Sequence, residues 1–329
     1  MTYRLEDFPR LFHRPSGRPG CLKPRVREAP LGNAPANRSM TSNPGASKAA
    51  ISLHYDLGNE FFRLFLDRGL CYSCAMYDNE SDSFEEAQER KLEYHIRQAR
   101  ADGAARVLDI GCGWGALQKR LVKEHRAKLA VGLTLSENQA EWIRAMALPG
   151  VEVCVESWSD HEPTAPYDSI ISIGAFEHFA RPGSRPARVR GYRDFFERCY
   201  GWLRQGGWMS LQSIGLGRVD RGVAGQFVAE NIFPESDLPR LGEIADASEG
   251  IFEIVSVRND RADYIRTNHE FRDRLRKNWD AAVALVGEET VRRFDKYFRV
   301  SAAGFSRGTT NLYRITFRRL AQPRFDIAL

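Results

Sequence analysis

The sequence predicts an α/β protein built on a parallel sheet with helices on both faces. Short apolar runs alternate with amphipathic runs after residue 100, and a glycine-rich turn follows the first of them directly. The chain has 329 residues, 43% of them hydrophobic, which is enough to bury a sizeable core. Ser83 and Glu86 have capping-box spacing and open a helix over SFEEAQERKLEYHIRQARA, with Phe84, Ala87 and Ile96 roughly on one face. Strands are then expected at RVLDIG, LAVGLTL, VEVCVES, DSIISIG and WMSLQSIG. Helices separate them, starting at Trp114, at Ser136 and over YRDFFERCYGWL. From Leu216 to about Gly250, Gly and Pro breaks loosen the pattern, which reads as an insertion over the strand ends. FEIVSVRND, two helices from about Thr267 to Tyr297, and LYRITFRR complete the body. Residues 51–320 read as one decorated domain, preceded by an arm at 1–50 and followed by a tail at 321–329.

Composition narrows the function classes. The net charge of +5 suggests nucleic-acid binding until it is located. Residues 1–50 hold nine Lys/Arg against three Asp/Glu and seven of the 15 prolines, whereas the rest of the chain is close to neutral. Basicity confined to a Pro-rich arm argues against a nucleic-acid partner. Such an arm is either a solvated extension or a means of peripheral attraction to an anionic membrane. No run of about 18 apolar residues is present to span a bilayer. The opening segment lacks the apolar stretch of a secretory signal. Six cysteines in 329 residues do not make a disulfide framework, so a reduced, cytoplasmic setting is expected.

The chemistry starts at Asp109-Ile-Gly111-Cys-Gly113-Trp-Gly115, between a strand and a helix. Glycines there permit positive φ and a close backbone approach to a ligand, at the strand ends where open α/β sheets bind ligands. Alone, the motif is either a nucleotide site or a tight turn. A dinucleotide site calls for G-x-G-x-x-G and a ribose-binding carboxylate about 20 residues on. Here the spacing is G-x-G-x-G, and the second strand ends in Thr134-Leu135-Ser136. NAD is disfavoured.

DIGCGWG, TLSENQ and SIGAFEHF, together with HYDLGNEFFRLFLDRGLCYSCAMY, NIFPESDLP and SAAGFSRGTTNLYRITF, resemble one family. It is the cyclopropane fatty acid and mycolic acid cyclopropane synthases, which are S-adenosylmethionine-dependent methyltransferases. The resemblance spans about residues 52–318 with the motifs in the family's order. It implies a Rossmann-like class I methyltransferase sheet with an α-helical cap or insertion over the strand ends. It implies that Tyr72 and Ser73 contact the methionine end of the cofactor and that Gly111 and Gly113 line its path. Thr134, Leu135 and Gln139 would hold the ribose region, and Trp158 would stack on adenine. Hydroxyl and amide groups can bond a ribose, and an indole offers a flat apolar face. Read without the resemblance, Trp158 is equally a core tryptophan.

Methyl transfer from a sulfonium needs alignment and exclusion of water more than covalent help. An alkene is a poor nucleophile, and its attack leaves a carbocation that must lose a proton. That chemistry wants an apolar pocket, negative or π density, and a base. In the family the base is a bound bicarbonate, and the matching positions are Cys74, the backbone of Ile173, Glu177 and Tyr264. Cys71-x-x-Cys74 has redox or zinc spacing, but no second cysteine pair stands at ligand spacing, so no metal is expected. Bland alternatives are a helix-start carboxylate for Glu177 and a core tyrosine for Tyr264. The chain departs from the family in two places. Gln212 stands in place of a strand histidine, and Thr267-Asn268-His269-Glu270-Phe271 replaces a more apolar stretch, which is expected to alter the acceptor pocket. The leading expectation is methyl or methylene addition to a carbon–carbon double bond of an apolar, lipid-like acceptor. The alternatives are a small-molecule C- or N-methyltransferase of specialised metabolism, or an inactive cofactor-binding module.

Overall fold

The computed structural model describes residues 57–221 and 237–325. The arm at 1–50, most of NIFPESDLP and the centre of the expected insertion lie outside the described residues. Within them, α1 (Asn59–Arg63) and α2 (Phe84–Gln98) precede β1 (Arg106–Ile110), α3 (Ala116–Lys123), β2 (Leu129–Thr134), α4 (Glu137–Ala145) and β3 (Val151–Val155). β4 (Tyr167–Ile173), a 3₁₀ turn at Phe176–His178, α5 (Arg185–Trp202) and β5 (Leu203–Leu216) follow. The chain then runs through α6 (Leu241–Ser248), β6 (Phe252–Asn259), α7 (Arg261–Lys277), α8 (Trp279–Val286), α9 (Glu288–Arg307) and β7 (Thr310–Arg319).

The seven strands lie in the order β3-β2-β1-β4-β5-β7-β6. Pairing is parallel from β3 to β5, but β7 runs antiparallel to both β5 and β6. The expected parallel sheet thus carries one reversed strand, β7. α9 ends at Gly308, whose φ of 70° is a left-handed cap, and the chain turns straight back into the sheet. Apolar periodicity carries no strand direction, so this reversal leaves no trace in the alternation.

Alternate residues of the central strands serve two cores. Leu108, Val131, Ile170 and Leu211 face Tyr192, Phe195 and Phe196 of α5 and Ile244 of α6. Val107, Ala130 and Ile171 face Ile96 of α2 and Leu117 and Leu121 of α3. A third cluster is aromatic: Phe61, Phe62 and Phe65 pack with Phe271, Phe294 and Phe298, uniting α1 with α7 and α9 as a helical cap. Three helices fill the stretch expected to hold two. The breaks fall at Asn278, which caps α7 and opens α8, and at Gly287, with φ of 80°. The capping box at Ser83 and Glu86 is present, with both reciprocal hydrogen bonds.

Candidate active site

The turn after β1 is shaped by one carbonyl: Leu133 O accepts from both Gly111 N and Cys112 N at 3.0 Å. Gly111, Gly113 and Gly115 all have positive φ. A Cβ on Gly111 would strike the Ala175 methyl, whereas nothing lies within 4 Å of a Cβ position on Gly113. The first glycine is needed for packing and the second leaves the cavity wall open. At the end of β2, Thr134 Oγ1 donates to Gln139 Oε1 at 2.7 Å, and Ser136 caps α4 by accepting from Gln139 N. With the Gln139 carbonyl engaged, its amide nitrogen is what remains to offer a ligand.

One cavity gathers Tyr72, Ser73, Gly111, Gly113, Thr134, Leu135, Gln139, Trp158 and Ile173. Those residues come from five separate segments, and all sit at the carboxyl edge of the sheet. Trp158 is both wall and core: it lines the cavity and packs edge-on against Phe195 with ring centroids 5.4 Å apart.

Cys74, Gln212, Glu177 and Tyr264 are not in that lining; they meet behind it at the end of β5. Cys74, Ile214 and Tyr264 belong to one small apolar cluster with Phe305 and Leu312. Glu177 Oε1 accepts from Ile214 N, and its Oε2 is buried without a hydrogen-bond partner. Burial pushes the Glu177 carboxyl up to about 7, opposed by the N–H groups of Ile214 and of Glu177 itself and by the nearby Ser213 hydroxyl. The Tyr264 ring stacks on Phe305 at 4.6 Å. Cys74 is fully buried, and burial raises its thiol to about 12, as it does that of Cys71. Both cysteines are free and hold their protons at neutral pH, which suits packing rather than redox exchange.

Gln212 sits in a charged network. Its Oε1 accepts from Arg314 Nε at 2.9 Å and lies 3.3 Å from His95 Nε2. A carbonyl needs donors, so this contact assigns the His95 proton to Nε2 and leaves Nδ1 to accept from Ser210 Oγ at 2.8 Å. Burial, with Arg314 and Lys91 nearby, holds His95 well below its ordinary range, so it is neutral. Arg314 is fully buried; it pairs with Asp260 and donates to the Ala75 carbonyl at 2.9 Å. The polar stretch after Tyr264 does not line the cavity. Asn268 Nδ2 donates to Tyr264 O, Thr267 Oγ1 accepts from Ala75 N, and Phe271 joins the aromatic cap. Helix geometry turns these groups onto the protein's own backbone.

Three residues missed in the sequence support the site, one of them in the cavity wall. Gln88, Lys91 and His95 follow one another at i, i+3 and i+7 on α2, and each is at most 1% exposed. Gln88 Nε2 donates to the carbonyls of Cys71 and Ser73, fixing that segment. Lys91 lines the cavity and donates to Ser73 Oγ at 3.0 Å. Among the described residues no carboxylate lies within ion-pair distance of Lys91; Asp67 and Asp109 only feel its charge. The available signal was three polar side chains at helical spacing beside Ala87 and Leu92, a pattern that reads as a solvated face.

Comparison with known proteins locates this architecture. The mycolic acid cyclopropane synthetase family model matches residues 43–315. A probable fatty acid methyltransferase of Pseudomonas putida is 32% identical over 292 residues, covering 85% of this chain and 71% of that protein. Cyclopropane mycolic acid synthase 2 of Mycobacterium bovis is 32% identical over 291 residues, covering 83% of this chain and 92% of its own. The crystal structure of mycolic acid cyclopropane synthase CmaA1, complexed with SAH and CTAB, superposes with a TM-score of 0.76 at 30% identity. That match covers 84% of this chain and 99% of CmaA1. Fold and relatives together define the class, an S-adenosylmethionine-dependent methyltransferase. Within it, the chain belongs to the mycolic acid cyclopropane synthetase family.

Proposed function

We propose that this enzyme adds a one-carbon unit to a carbon–carbon double bond of an apolar, lipid-like acceptor. The observation that carries the reading is the Glu177 carboxyl, with one oxygen tied to the β5 backbone and the other buried and unpartnered beside the cofactor cavity. A buried acceptor left without a donor is costly unless a ligand completes it.

The cavity fits S-adenosylmethionine. Lys91, a buried cation without an ion-paired carboxylate, suits the amino-acid carboxylate of the cofactor, with Tyr72 and Ser73 beside it. Gly111 and Gly113 give the backbone approach, Thr134, Leu135 and Gln139 the ribose region, and Trp158 a flat wall for adenine. When bound, the cofactor supplies an electrophilic methyl group.

The protein's own part is to exclude water, hold the acceptor alkene in line, and take away a proton once positive charge has formed on the acceptor. Ionised Glu177 supplies negative charge next to that position, and the Tyr264 ring supplies π density. Bicarbonate is the base in this reading. The hydroxyl of bicarbonate would donate to Glu177 Oε2, with the Cys74 thiol, the Ile173 backbone and the Tyr264 hydroxyl around it. Gln212 has its carbonyl engaged by Arg314 and His95, so only its amide nitrogen faces such an anion as a donor.

The test uses S-adenosylmethionine carrying a ¹³C-methyl group, with monounsaturated acyl lipid as acceptor and bicarbonate present or removed. The expected product has gained one carbon and lost its olefinic protons by NMR, with turnover that falls when bicarbonate is stripped. Label on nitrogen or oxygen of a small molecule, with the alkene untouched, would replace this reading with the small-molecule methyltransferase.

A further inference from the structure

A second cavity, of about 570 Å³, lies at the far end of β5. Leu216 and Gly217 bring the strand to it, and Arg218, Arg240, Arg261 and Arg307 converge on it from four different segments. No Asp or Glu is among its described lining residues, and among the described residues none of the four arginines forms an ion pair. Arg218, Arg261 and Arg307 are exposed, and Arg240, the half-buried member, contrasts with several buried or half-buried arginines that are matched to carboxylates. Arg188 and Arg221 share Asp237 and Glu243, and Arg272 and Arg276 share Asp295.

Two of the guanidinium groups are held by backbone carbonyls rather than by acids. Arg240 donates to Gly217 O at 2.9 Å and to Val219 O at 2.7 Å, and Arg218 Nε donates to Arg307 O at 3.2 Å. Arg261 packs against Gly308 so closely that a Cβ there would collide with it. Four like charges gathered around one hollow make a positive potential that favours an anion among them. The planar, multidonor guanidinium suits phosphate oxygens in particular.

We propose that this cavity is a binding site for a phosphate-type anion and that it holds the charged end of the acceptor. The second clause rests on the apolar-acceptor reading above. Placement supports it. Gln212 is paired in register with Ile173 of the cofactor cavity, and Leu216 lies four residues further along the same strand. That separates the anion site from the cofactor cavity by about 13 Å of extended chain, on the same edge of the sheet. An acceptor with a phosphate at one end and an alkene some distance along its apolar body spans the two.

The test compares the full-length chain with the Arg218→Gln/Arg307→Gln double variant. Both positions are exposed and carry no ion pair, so the fold and S-adenosylhomocysteine affinity are expected to be unchanged. Calorimetry with inorganic phosphate should show binding to the parent chain, weakened at least tenfold in the variant. Co-sedimentation with vesicles of phosphatidylglycerol and phosphatidylcholine identifies the source. Vesicle binding that phosphate displaces and the variant loses assigns the site to a lipid headgroup; phosphate binding without vesicle binding assigns it to a water-soluble phosphorylated acceptor. The site is overturned if parent and variant handle phosphate and vesicles alike while both bind S-adenosylhomocysteine equally. Failure of the parent to bind S-adenosylhomocysteine would instead remove the cofactor reading on which the acceptor clause depends.

Discussion

The cavity at the strand ends and the buried polar cluster behind it are neighbours built on different plans. The cavity is lined mainly by strand-end turns, the glycines after β1, the Thr134–Gln139 pair after β2 and Trp158 after β3, with Lys91, Asp109 and Glu156 as its charged members. Each of these sits within a few residues of a strand end. The cluster is made of charges and amides from distant segments. Arg314 of β7 reaches Gln212 of β5, Asp260 before α7 and Ala75 before α2. The first plan gives a rigid receptacle whose loss weakens binding. The second ties chemistry to the stability of the whole sheet edge, because removing one member leaves the others buried and unmatched.

The sharpest break between the two regions is Glu177→Gln, which keeps size and hydrogen bonding but removes charge. Turnover should fall by about 10²–10⁴, while S-adenosylhomocysteine affinity changes less than about threefold. Unchanged turnover would make Glu177 a structural cap on Ile214. Next in size is Arg314→Met, which unpairs part of a fully buried network. Thermal or urea unfolding should show a loss of about 3–5 kcal/mol, with cofactor affinity retained by the protein that stays folded. A negligible loss would mean that Asp260 is satisfied by Arg258 alone.

A smaller effect is expected at Lys91→Met. The charge it removes has no acidic partner, so stability should hold or rise, whereas S-adenosylhomocysteine should bind about 10–100-fold more weakly. Methylthioadenosine, which lacks the amino-acid carboxylate, should bind parent and variant alike. Equal weakening for both ligands would show that Lys91 shapes the cavity without meeting that carboxylate.

How much could be read from the chain follows the same division. Gly111, Gly113, Thr134 and Gln139 were legible because each belongs to a short motif whose spacing maps directly onto a strand end. The Ser83–Glu86 cap was legible for the same reason. Lys91 was not, since a lysine between Arg90 and Leu92 on an amphipathic helix looks solvated until tertiary packing closes over it. Arg314 was equally hidden: an arginine within LYRITFRR gives no sign that its partners lie 54 and 102 residues away. In the stretch after Tyr264, the Thr267 hydroxyl and the Asn268 amide satisfy nearby backbone atoms, which the sequence did not show. Sequence order shows which groups are present, and only long-range packing decides which of them remain unsatisfied.

The most direct test of the account is the pH dependence of kcat/KM for the parent enzyme and Glu177→Gln under constant bicarbonate. Burial places the Glu177 carboxyl at about 7, and in the proposed reaction the ionised form is the one that meets developing positive charge. The parent should therefore gain activity as pH rises through about 7, with an inflection that disappears in the variant. Superimposable profiles, with the same inflection in both proteins, would contradict a role for this carboxylate in the reaction.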